Sequence, residues 1–384
     1  MDALTTPLNW QRVRLGDIAE IKRGASPRPI ENPKWFCTNS NVGWVRISDI
    51  SKNSRFLYKT AQKLSKKGIE KSRLVKQNSL IMSMCATIGK PIITKIDTCI
   101  HDGFVVFENP KIDLNYLYYF LCYIEKEWLE SGQQGSQVNL NVDLIKNKEV
   151  FCPKDLNEQI AIANILSDLD HYLYTLDALI LKKESVKKAL SFELLSQRKR
   201  LKGFNQAWQR VRLGDICEIV KGQQINKISL NNTDKYPVIN GGIDFLGYTN
   251  KFNVSKNTIA ISEGGTCGYV RFMSSDFWSG GHNYSLQKIS NKVNNLCLYH
   301  ILKSYEKDIM KLGVGSGLKN IQLKALKDFE ILLPPLNEQI AIANILSDVD
   351  HEIISLKNKK RQFDNIKKAL NHDLMSAKIR VLKK

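Results

Sequence analysis

The sequence lacks the features that mark membrane and secreted proteins. Its apolar runs, such as residues 79–89, are too short to cross a bilayer, and the opening MDALTTPLNWQR has neither the charged nor the apolar region of a signal peptide. The eight cysteines are scattered without a CxxC pair, which argues against a zinc site or a disulfide framework. These absences predict a protein of the cytoplasm with reduced thiols and no membrane contact.

Acidic residues are also few relative to basic ones. The 384 residues include 57 lysines and arginines against 38 aspartates and glutamates, which gives a formal net charge of +19. An excess of this size favours a polyanionic partner, and nucleic acid ranks above a membrane surface because no amphipathic membrane helix stands out. The length is sufficient for two or three domains with their own cores.

Two segments occur twice in the chain. LNEQIAIANILSDLDH starts at Leu156 and returns from Leu336 with one substitution, while WQRVRLGDI starts at Trp10 and returns unchanged from Trp208. Each half has the same order: this opening, a variable stretch, a glycine-serine turn and a long helix. The repeat predicts two similar scaffolds that carry different modules of mixed strands and helices.

The repeated segments are predicted to be long helices. Apolar residues recur in alternating steps of four and three from Leu166 to Leu201 and from Leu346 to Val381. Antiparallel packing of the two helices would bury both seams, and the alternative is that each helix packs separately on its own module.

Lysines interrupt the two apolar seams at matching depths. They would either set the register of helix pairing or extend to solvent where the helices diverge. The residues are Lys183, Lys187, Lys360 and Lys367.

The chain resembles the specificity subunits of type I restriction-modification systems. The resemblance rests on LPPLNEQIAIANIL at 333–346, the long helix that follows it, the preceding glycine-serine turn, and the WxxxxLGDI openings at Trp10 and Trp208. It covers nearly the whole chain. One departure is CPKDLNEQ at 152–159, where the usual double proline is reduced to Pro153, and this leaves only the entry to the first helix in doubt.

The resemblance implies the fold and the domain boundaries. We expect an α/β (α+β) protein in which two globular target-recognition domains are joined by two long antiparallel coiled-coil helices with pseudo-twofold symmetry. The expected domains are the first target-recognition domain at 1–155, the central conserved helical region at 156–203, the second target-recognition domain at 204–335 and the distal helical region at 336–384.

The resemblance also implies the function and the partners. Each target-recognition domain would bind one half of an asymmetric, bipartite site in double-stranded DNA, and the helices would act as a ruler. Modules that bind the same face of a duplex should lie roughly 10 bp apart. The helices would hold two methyltransferase subunits that use S-adenosylmethionine, and restriction subunits that consume ATP would join them. The partner contacts are predicted to lie at the start of each helix, at Asn157, Glu158, Gln159, Asn337, Glu338 and Gln339.

No catalytic role is predicted for this chain. It has no GxxxxGK[ST] phosphate loop, and its one Pro-Pro pair stands between leucines, unlike the adenine methyltransferase motif. Asp102 beside His101 could suggest acid-base chemistry, but no nucleophile or metal cluster accompanies the pair. We therefore expect a non-enzymatic subunit without a cofactor. The alternative is a coiled-coil scaffold that binds DNA non-specifically or binds protein.

The base-reading residues are predicted from polar loops, because arginine pairs with guanine and asparagine or glutamine with adenine. His101 and His282, late in each module, would contact DNA or make a structural hydrogen bond. In the first module the candidates are Arg23, Ser26, Arg28, Arg46, Asp49, Thr87 and Lys90. In the second they are Lys221, Gln223, Gln224, Asn240, Tyr248, Thr266, Tyr269, Arg271, His282 and Asn283.

Overall fold

The structure is a computed structural model that describes residues 9–51, 55–131 and 140–381. The predicted glycine-serine turn of the first half, at 135–136, lies outside the described residues. Up to the first long helix the strands are β1 (Trp10–Arg14), β2 (Glu20–Arg23), β3 (Gly43–Val45), β4 (Phe56–Leu57), β5 (Gln62–Lys63), β6 (Arg73–Val75), β7 (Leu80–Ser83), β8 (Pro91–Thr94), β9 (Thr98–Ile100), β10 (Phe104–Glu108) and β11 (Glu149–Pro153). The helices are α1 (Leu15–Ile18), α2 (Ile47–Ser51), α3 (Lys66–Glu70), α4 (Leu114–Tyr123), α5 (Glu125–Ser131), α6 (Val142–Asn147) and α7 (Leu156–Leu195).

The first module is built from two sheets and a two-stranded ribbon. One sheet has the strand order β2-β10-β7-β8-β4, the other has the order β5-β3-β9-β6, and β1 pairs antiparallel with β11. The strands β7, β8 and β9 are buried along their whole length, so they carry continuous apolar runs instead of an alternating pattern. β11 leads directly into α7, and the ribbon therefore joins the start of the module to the start of the long helix.

The second half repeats this arrangement of elements, and its two larger sheets have fewer strands. Its strands are β12 (Gln209–Arg212), β13 (Glu218–Lys221), β14 (Tyr236–Ile239), β15 (Gly247–Thr249), β16 (Thr258–Ser262), β17 (Val270–Met273), β18 (Trp278–Ser279), β19 (Asn283–Gln287), β20 (Gly313–Val314), β21 (Asn320–Ile321) and β22 (Glu330–Leu333). Its helices are α8 (Leu213–Ile216), α9 (Asn295–Ser304), α10 (Glu306–Lys311), α11 (Leu323–Lys327) and α12 (Leu336–Met375). The main sheet has the order β13-β19-β16-β17, and β12 pairs with β22 as β1 pairs with β11. The expected mixture of α and β structure in two modules with two long helices is confirmed.

Each long helix has 40 residues, which corresponds to about 60 Å at 1.5 Å per residue. The apolar seam predicted from the sequence runs past both helix ends, because the helices stop at Leu195 and Met375. Gln197 and Ala377 then adopt left-handed backbone conformations, with φ of 60° and 58°. These turns direct Arg200 and Arg380 back toward buried carboxylates.

The chain divides into two compact units, and both long helices contribute to each. One unit comprises the residues up to 175 and those from 360 onward, and the other comprises residues 176–359. In the described parts of the chain, no helix combines the length and the apolar character that a membrane span requires.

In the first unit, the N-terminal half of α7 packs antiparallel to the C-terminal part of α12. Asp170 forms an ion pair with Lys367, and the Tyr172 and Phe363 rings lie 4.7 Å apart. Ile162, Ala163 and Leu166 of α7 and Leu374 and Met375 of α12 share the core of the first module. Helix pairing and packing on the module, which were alternatives from the sequence, therefore occur together.

The second unit repeats these contacts with the two helices exchanged. Asp350 of α12 forms an ion pair with Lys187 of α7, and Glu352 forms one with Lys183. Each residue lies 180 positions from its counterpart, so the Glu352–Lys183 ion pair takes the place of the Tyr172–Phe363 ring contact. The seam lysines Lys183, Lys187 and Lys367 therefore form ion pairs with the facing helix, which favours a role in register over simple extension to solvent.

Candidate nucleic-acid interface

Both modules present the same pair of loops at the end of their main sheet. A Cβ atom on Gly24 would lie 2.0 Å from the main-chain oxygen of His101, and one on Gly222 would lie 2.1 Å from that of Gly280. Only glycine allows the loop after β2, or after β13, to approach the loop before β10, or before β19, this closely. We call this pair of loops the loop frame. It comprises residues 24–28 and 101–103 in the first module, and residues 222–226 and 280–282 in the second.

The first loop frame brings three predicted residues to Asp102, two of them to its carboxylate. Arg28 Nη2 donates to Asp102 Oδ2 at 3.0 Å, Ser26 Oγ donates to Asp102 Oδ1 at 2.7 Å, and Arg23 Nε donates to the main-chain oxygen of Asp102 at 2.7 Å. The Ser26 hydrogen bond is the largest cause that lowers the pKa of Asp102, and Arg28 acts in the same direction. The carboxylate therefore stays ionised at neutral pH.

A cleft of about 520 Å³ opens beside this cluster. Ser26, Arg28, Arg46, His101 and Asp102 are among its lining residues. His101 Nδ1 accepts a hydrogen bond from the Gly103 main-chain N–H at 2.9 Å, and burial lowers the histidine pKa. The cleft wall thus combines two exposed arginines, one carboxylate and a neutral imidazole, which are groups suited to hydrogen bonding with the edges of bases.

Asp49 does not belong to this surface. Its side chain is buried, and its carboxylate accepts hydrogen bonds from the main-chain N–H groups of Arg46 and Ala61. The prediction of a DNA contact by Asp49 is therefore revised, because the carboxylate holds the start of α2. Thr87 and Lys90 lie in the hairpin between β7 and β8 and are half-buried, and their DNA contact stays a prediction.

The second loop frame contains side-chain amides where the first contains the Asp102 carboxylate. Asn240 Oδ1 accepts a hydrogen bond from the main-chain N–H of His282 at 3.1 Å, and the main-chain N–H of Gln223 donates to the Ser279 oxygen. Gln224 lies against Gly281, since a Cβ atom there would be 2.5 Å from Gln224 Nε2.

Four other predicted residues surround this frame. Lys221 forms an ion pair with Glu263 at 2.7 Å, and the main-chain N–H of Thr266 donates to the Gly241 oxygen. Arg271 lies over the Tyr269 ring and donates to the Gly242 oxygen at 3.0 Å.

Two remaining candidates of the second module differ in accessibility. Tyr248 is half-buried on β15, with its ring 6.0 Å from that of Phe245. Asn283 is buried, and its Oδ1 accepts from Ser262 Oγ at 3.4 Å, so the prediction of a base contact by this side chain is revised.

The hydrogen-bond register shows which positions correspond between the two frames. The Gly24 and Gly222 N–H groups donate to the main-chain oxygens of Phe104 and Asn283, which makes these two residues counterparts. Counting back, Asp102 corresponds to Gly281, and the Gln224 amide lies against the position that the Asp102 side chain would occupy. His101 and His282 are therefore two positions apart, although the sequence had suggested comparable places.

The repeated NEQ triplets attach each long helix to its module. Glu158 is buried and accepts hydrogen bonds from Arg380 Nε at 2.8 Å and Asn9 Nδ2 at 3.0 Å. Gln159 is also buried. Its Oε1 accepts from the Asp113 main-chain N–H at 2.8 Å, at the N-cap of α4, and its Nε2 donates to the Pro153 oxygen at 2.8 Å.

Glu338 and Gln339 repeat these contacts in the second unit. Arg200 Nε donates to Glu338 Oε1 at 2.8 Å, and the Asn294 main-chain N–H donates to Gln339 Oε1 at 2.7 Å. The prediction of partner contacts is therefore revised for the buried Glu158, Gln159, Glu338 and Gln339. Asn157 and Asn337 are exposed, and their partner contact stays a prediction.

The sequence did not indicate the roles of Asp102 and Arg55. Asp102 had been considered for acid-base chemistry, whereas its carboxylate binds an arginine. Arg55 is buried, and it donates to Tyr119 Oη at 2.9 Å and to Ser167 Oγ at 2.6 Å, so it joins the first module to α7. No residue pattern marks an arginine for burial, because this depends on partners distant in sequence. No group of three or more potential metal ligands occurs among the described residues.

Comparison with known proteins gives consistent matches. The family model of the type I restriction modification DNA specificity domain matches residues 7–183 and 205–363. A protein of Mycoplasma pneumoniae named as a type I specificity subunit is 38% identical over 165 residues, which cover 41% of this chain and 44% of that protein. The aligned stretch thus spans less than half of this relative. A Methanocaldococcus jannaschii protein named as a type I restriction enzyme specificity subunit is 28% identical over 98% of this chain and 95% of its own length.

Solved structures show a similar fold. The crystal structure of a type I restriction-modification system S subunit from M. genitalium superimposes with a TM-score of 0.69 and 18% identity, over 97% of both chains. A chain from a structural study of the assembly and conformational transition of a type I restriction-modification system gives a TM-score of 0.60 at 16% identity, over 96% of this chain and 98% of that chain.

Proposed function

Because this chain belongs to the type I restriction-modification DNA specificity family, we propose that it is the subunit that recognises DNA sequence in such a complex. It has no catalytic role of its own. The target-recognition domains at 1–155 and 204–335 each bind one half of an asymmetric bipartite site in double-stranded DNA. The long helices within 156–203 and 336–384 set the distance between the half-sites and bind the partner subunits.

One observation carries this proposal: the two loop frames have the same backbone arrangement and differ in their side chains. Gly24 and Gly222 make the same close approach, and the hydrogen-bond register is the same. On this common backbone, the first frame presents Arg28 with Asp102, while the second presents Gln224. Different base edges require different hydrogen-bonding groups, so a shared frame with different side chains fits two modules that bind unlike half-sites.

Exposed residues of the repeated helices support two binding sites for the same partner. Identity at buried positions is explained by packing on the modules, but identity at exposed positions has no such cause. Along α7 and α12 the identical exposed residues recur at steps of three or four after an adjacent first pair, which places them on one helix face. They are Leu156, Asn157, Ile160, Asn164, Asp168 and His171 in the first copy, and Leu336, Asn337, Ile340, Asn344, Asp348 and His351 in the second. We infer that each copy binds one methyltransferase subunit.

The test is adenine methylation by the purified chain with and without its methyltransferase partner. We expect methylation at a single bipartite consensus only when both proteins are present, since this chain supplies sequence recognition and the partner supplies the chemistry. The methylated positions are mapped across a bacterial genome, and DNA binding is measured at several salt concentrations.

A matched variant tests whether the two halves act independently. Residues 19–150 are exchanged for the corresponding segment of a relative, and one half of the methylated consensus should change while the other stays. Simultaneous change of both halves contradicts independent recognition. Robust methylation by this chain alone contradicts the non-catalytic role. Binding that is indifferent to sequence and persists only at low salt would instead support the scaffold alternative.

A further inference from the structure

The Arg28–Asp102 ion pair in the first loop frame has no evident structural purpose. Both side chains are largely accessible, with 73% of Arg28 and 42% of Asp102 exposed. Exposed ion pairs contribute little to folding stability, so stability does not account for this arrangement. Arg28 also lines the 520 Å³ cleft, together with Arg46 and His101, at the end of the module where the frame loops meet.

Asp102 holds the arginine at one point, and the other Arg28 donors make no hydrogen bond with the residues described. Its Oδ2 engages only Nη2 of Arg28, while its Oδ1 is held by Ser26 and its main-chain oxygen by Arg23. A guanidinium has five N–H donors in a planar fork, so a donor pair remains for a ligand with two neighbouring acceptors. Guanine presents O6 and N7 in this way in the major groove, and adenine places a donor beside its N7.

Fixing the arginine before binding reduces the conformational entropy that recognition would otherwise cost. We propose that Arg28 reads a guanine in the half-site of the first module and that Asp102 is the positioning residue that orients it. This rests on the proposed DNA-recognition function. The second module supports the assignment by contrast, because the counterpart of Asp102 is Gly281 and a neutral amide from Gln224 lies there.

The experiment uses the full chain in complex with its methyltransferase partner and double-stranded DNA carrying every base at each half-site position. The variants are Arg28→Lys, which keeps the charge but loses the fork, and Asp102→Asn, which keeps the shape but loses the charge. Discrimination for guanine at one position of the first half-site should fall on the order of 5- to 150-fold in both variants. The other half-site should be unchanged.

Control variants remove the same groups elsewhere in the first unit. Arg12 and Glu149 form an exposed pair between β1 and β11, and side-chain exposures of 66% and 61% make it a close match. Arg12→Lys and Glu149→Gln should leave base discrimination as it is. Thermal unfolding of all four variants shows whether they fold. Arg28 is exposed, so Arg28→Lys remains informative even if Asp102→Asn is unstable.

Three results would overturn the assignment. Full discrimination in Arg28→Lys would mean that charge alone suffices, as in a phosphate contact. Unchanged discrimination in Asp102→Asn would remove its positioning role. Relaxation at a base other than guanine would contradict the donor pattern. Failure of the proposed function is distinguishable, because the wild-type complex would then methylate DNA without any consensus.

Discussion

At the residue scale, burial separates the roles of polar residues that the sequence treats alike. The NEQ triplets were predicted as a unit to bind partners, yet Glu158 and Gln159 are buried against their own module and Asn157 is exposed. A repeat indicates that positions matter but does not say whether they face inward. The arginine partner of Glu158 lies 222 residues away, at a distance in the chain that no local pattern reveals.

His300 is a buried histidine with consequences for stability. It lies on α9 with 4% of its surface exposed, and its Nε2 has no hydrogen-bond partner among the residues described. Burial is the main cause that lowers its pKa to about 4, and Lys187 acts in the same direction. Because the unfolded chain binds this proton first, stability should fall as the pH drops from 6.5 toward 4, by about 3 kcal/mol.

The replacement His300→Tyr tests this expectation. Tyr119, the counterpart in the first module, donates from its hydroxyl to Asp170 at 2.6 Å, and a tyrosine at 300 has the equivalent Asp350 available. Between pH 6.5 and pH 4 the free energy of unfolding of the wild type should fall, and that of the variant should fall less. Urea unfolding at the two pH values measures both. His300→Phe, which cannot donate to Asp350, should flatten the curve equally. If the free energy of unfolding of the variants falls as much as that of the wild type between the two pH values, His300 does not have this role.

At the scale of elements, the long helices could be predicted in position and direction but not at their ends. The repeated apolar spacing located both helices, and the seam that it predicted is used within each unit. The seam continues in the sequence to Leu201 and Val381, whereas the helices end at Leu195 and Met375. Gln197 and Ala377 carry the left-handed turns, and neither is the glycine that usually signals such an end.

The exchanged contact on the helix pair can be tested by transplanting it. The ring pair Tyr172 and Phe363 of the first unit corresponds to Glu352 and Lys183 of the second. Tyr172→Glu and Phe363→Lys should each destabilise the protein, by about 1 kcal/mol, since each removes one ring of the aromatic contact. The double variant should lose less than the sum by at least about 0.5 kcal/mol, because it recreates the ion pair.

Chemical unfolding of the four proteins at low and high salt measures this coupling. An ion pair at this partly exposed position should weaken as salt is added, so the coupling should shrink. Strict additivity at low salt would show that the two positions do not face each other in solution.

At the scale of the whole molecule, the duplication predicted the organisation better than the composition did. The charge of +19 allows many polyanion-binding proteins, whereas two repeated scaffolds around unlike modules match one family over most of the chain. The variable modules were predictable only as mixed α and β structure. The frame residues come from loops after β2 and before β10, about 75 positions apart, so their meeting depends on strand order that the sequence pattern does not contain.

The proposed spacing role can be tested with one insertion in each helix. The inter-helix contacts of the first unit, such as Asp170–Lys367, involve α7 before Ala178 and α12 after Asn358. Those of the second unit, such as Lys187–Asp350, involve the opposite segments. Four residues added after Ala178 and four after Asn358 therefore leave both of these ion pairs intact. Each helix gains about 6 Å and about 40° of rotation.

At ~3.4 Å per base pair, the double insertion should add one or two base pairs between the half-sites, with both half-site sequences unchanged. The methylated consensus of cells that carry the variant measures this directly. An insertion after Ala178 alone serves as the control, and it should reduce activity because the two helices then differ in length between the same contacts. Full activity of the double variant with unchanged spacing would show that the helices do not set the distance.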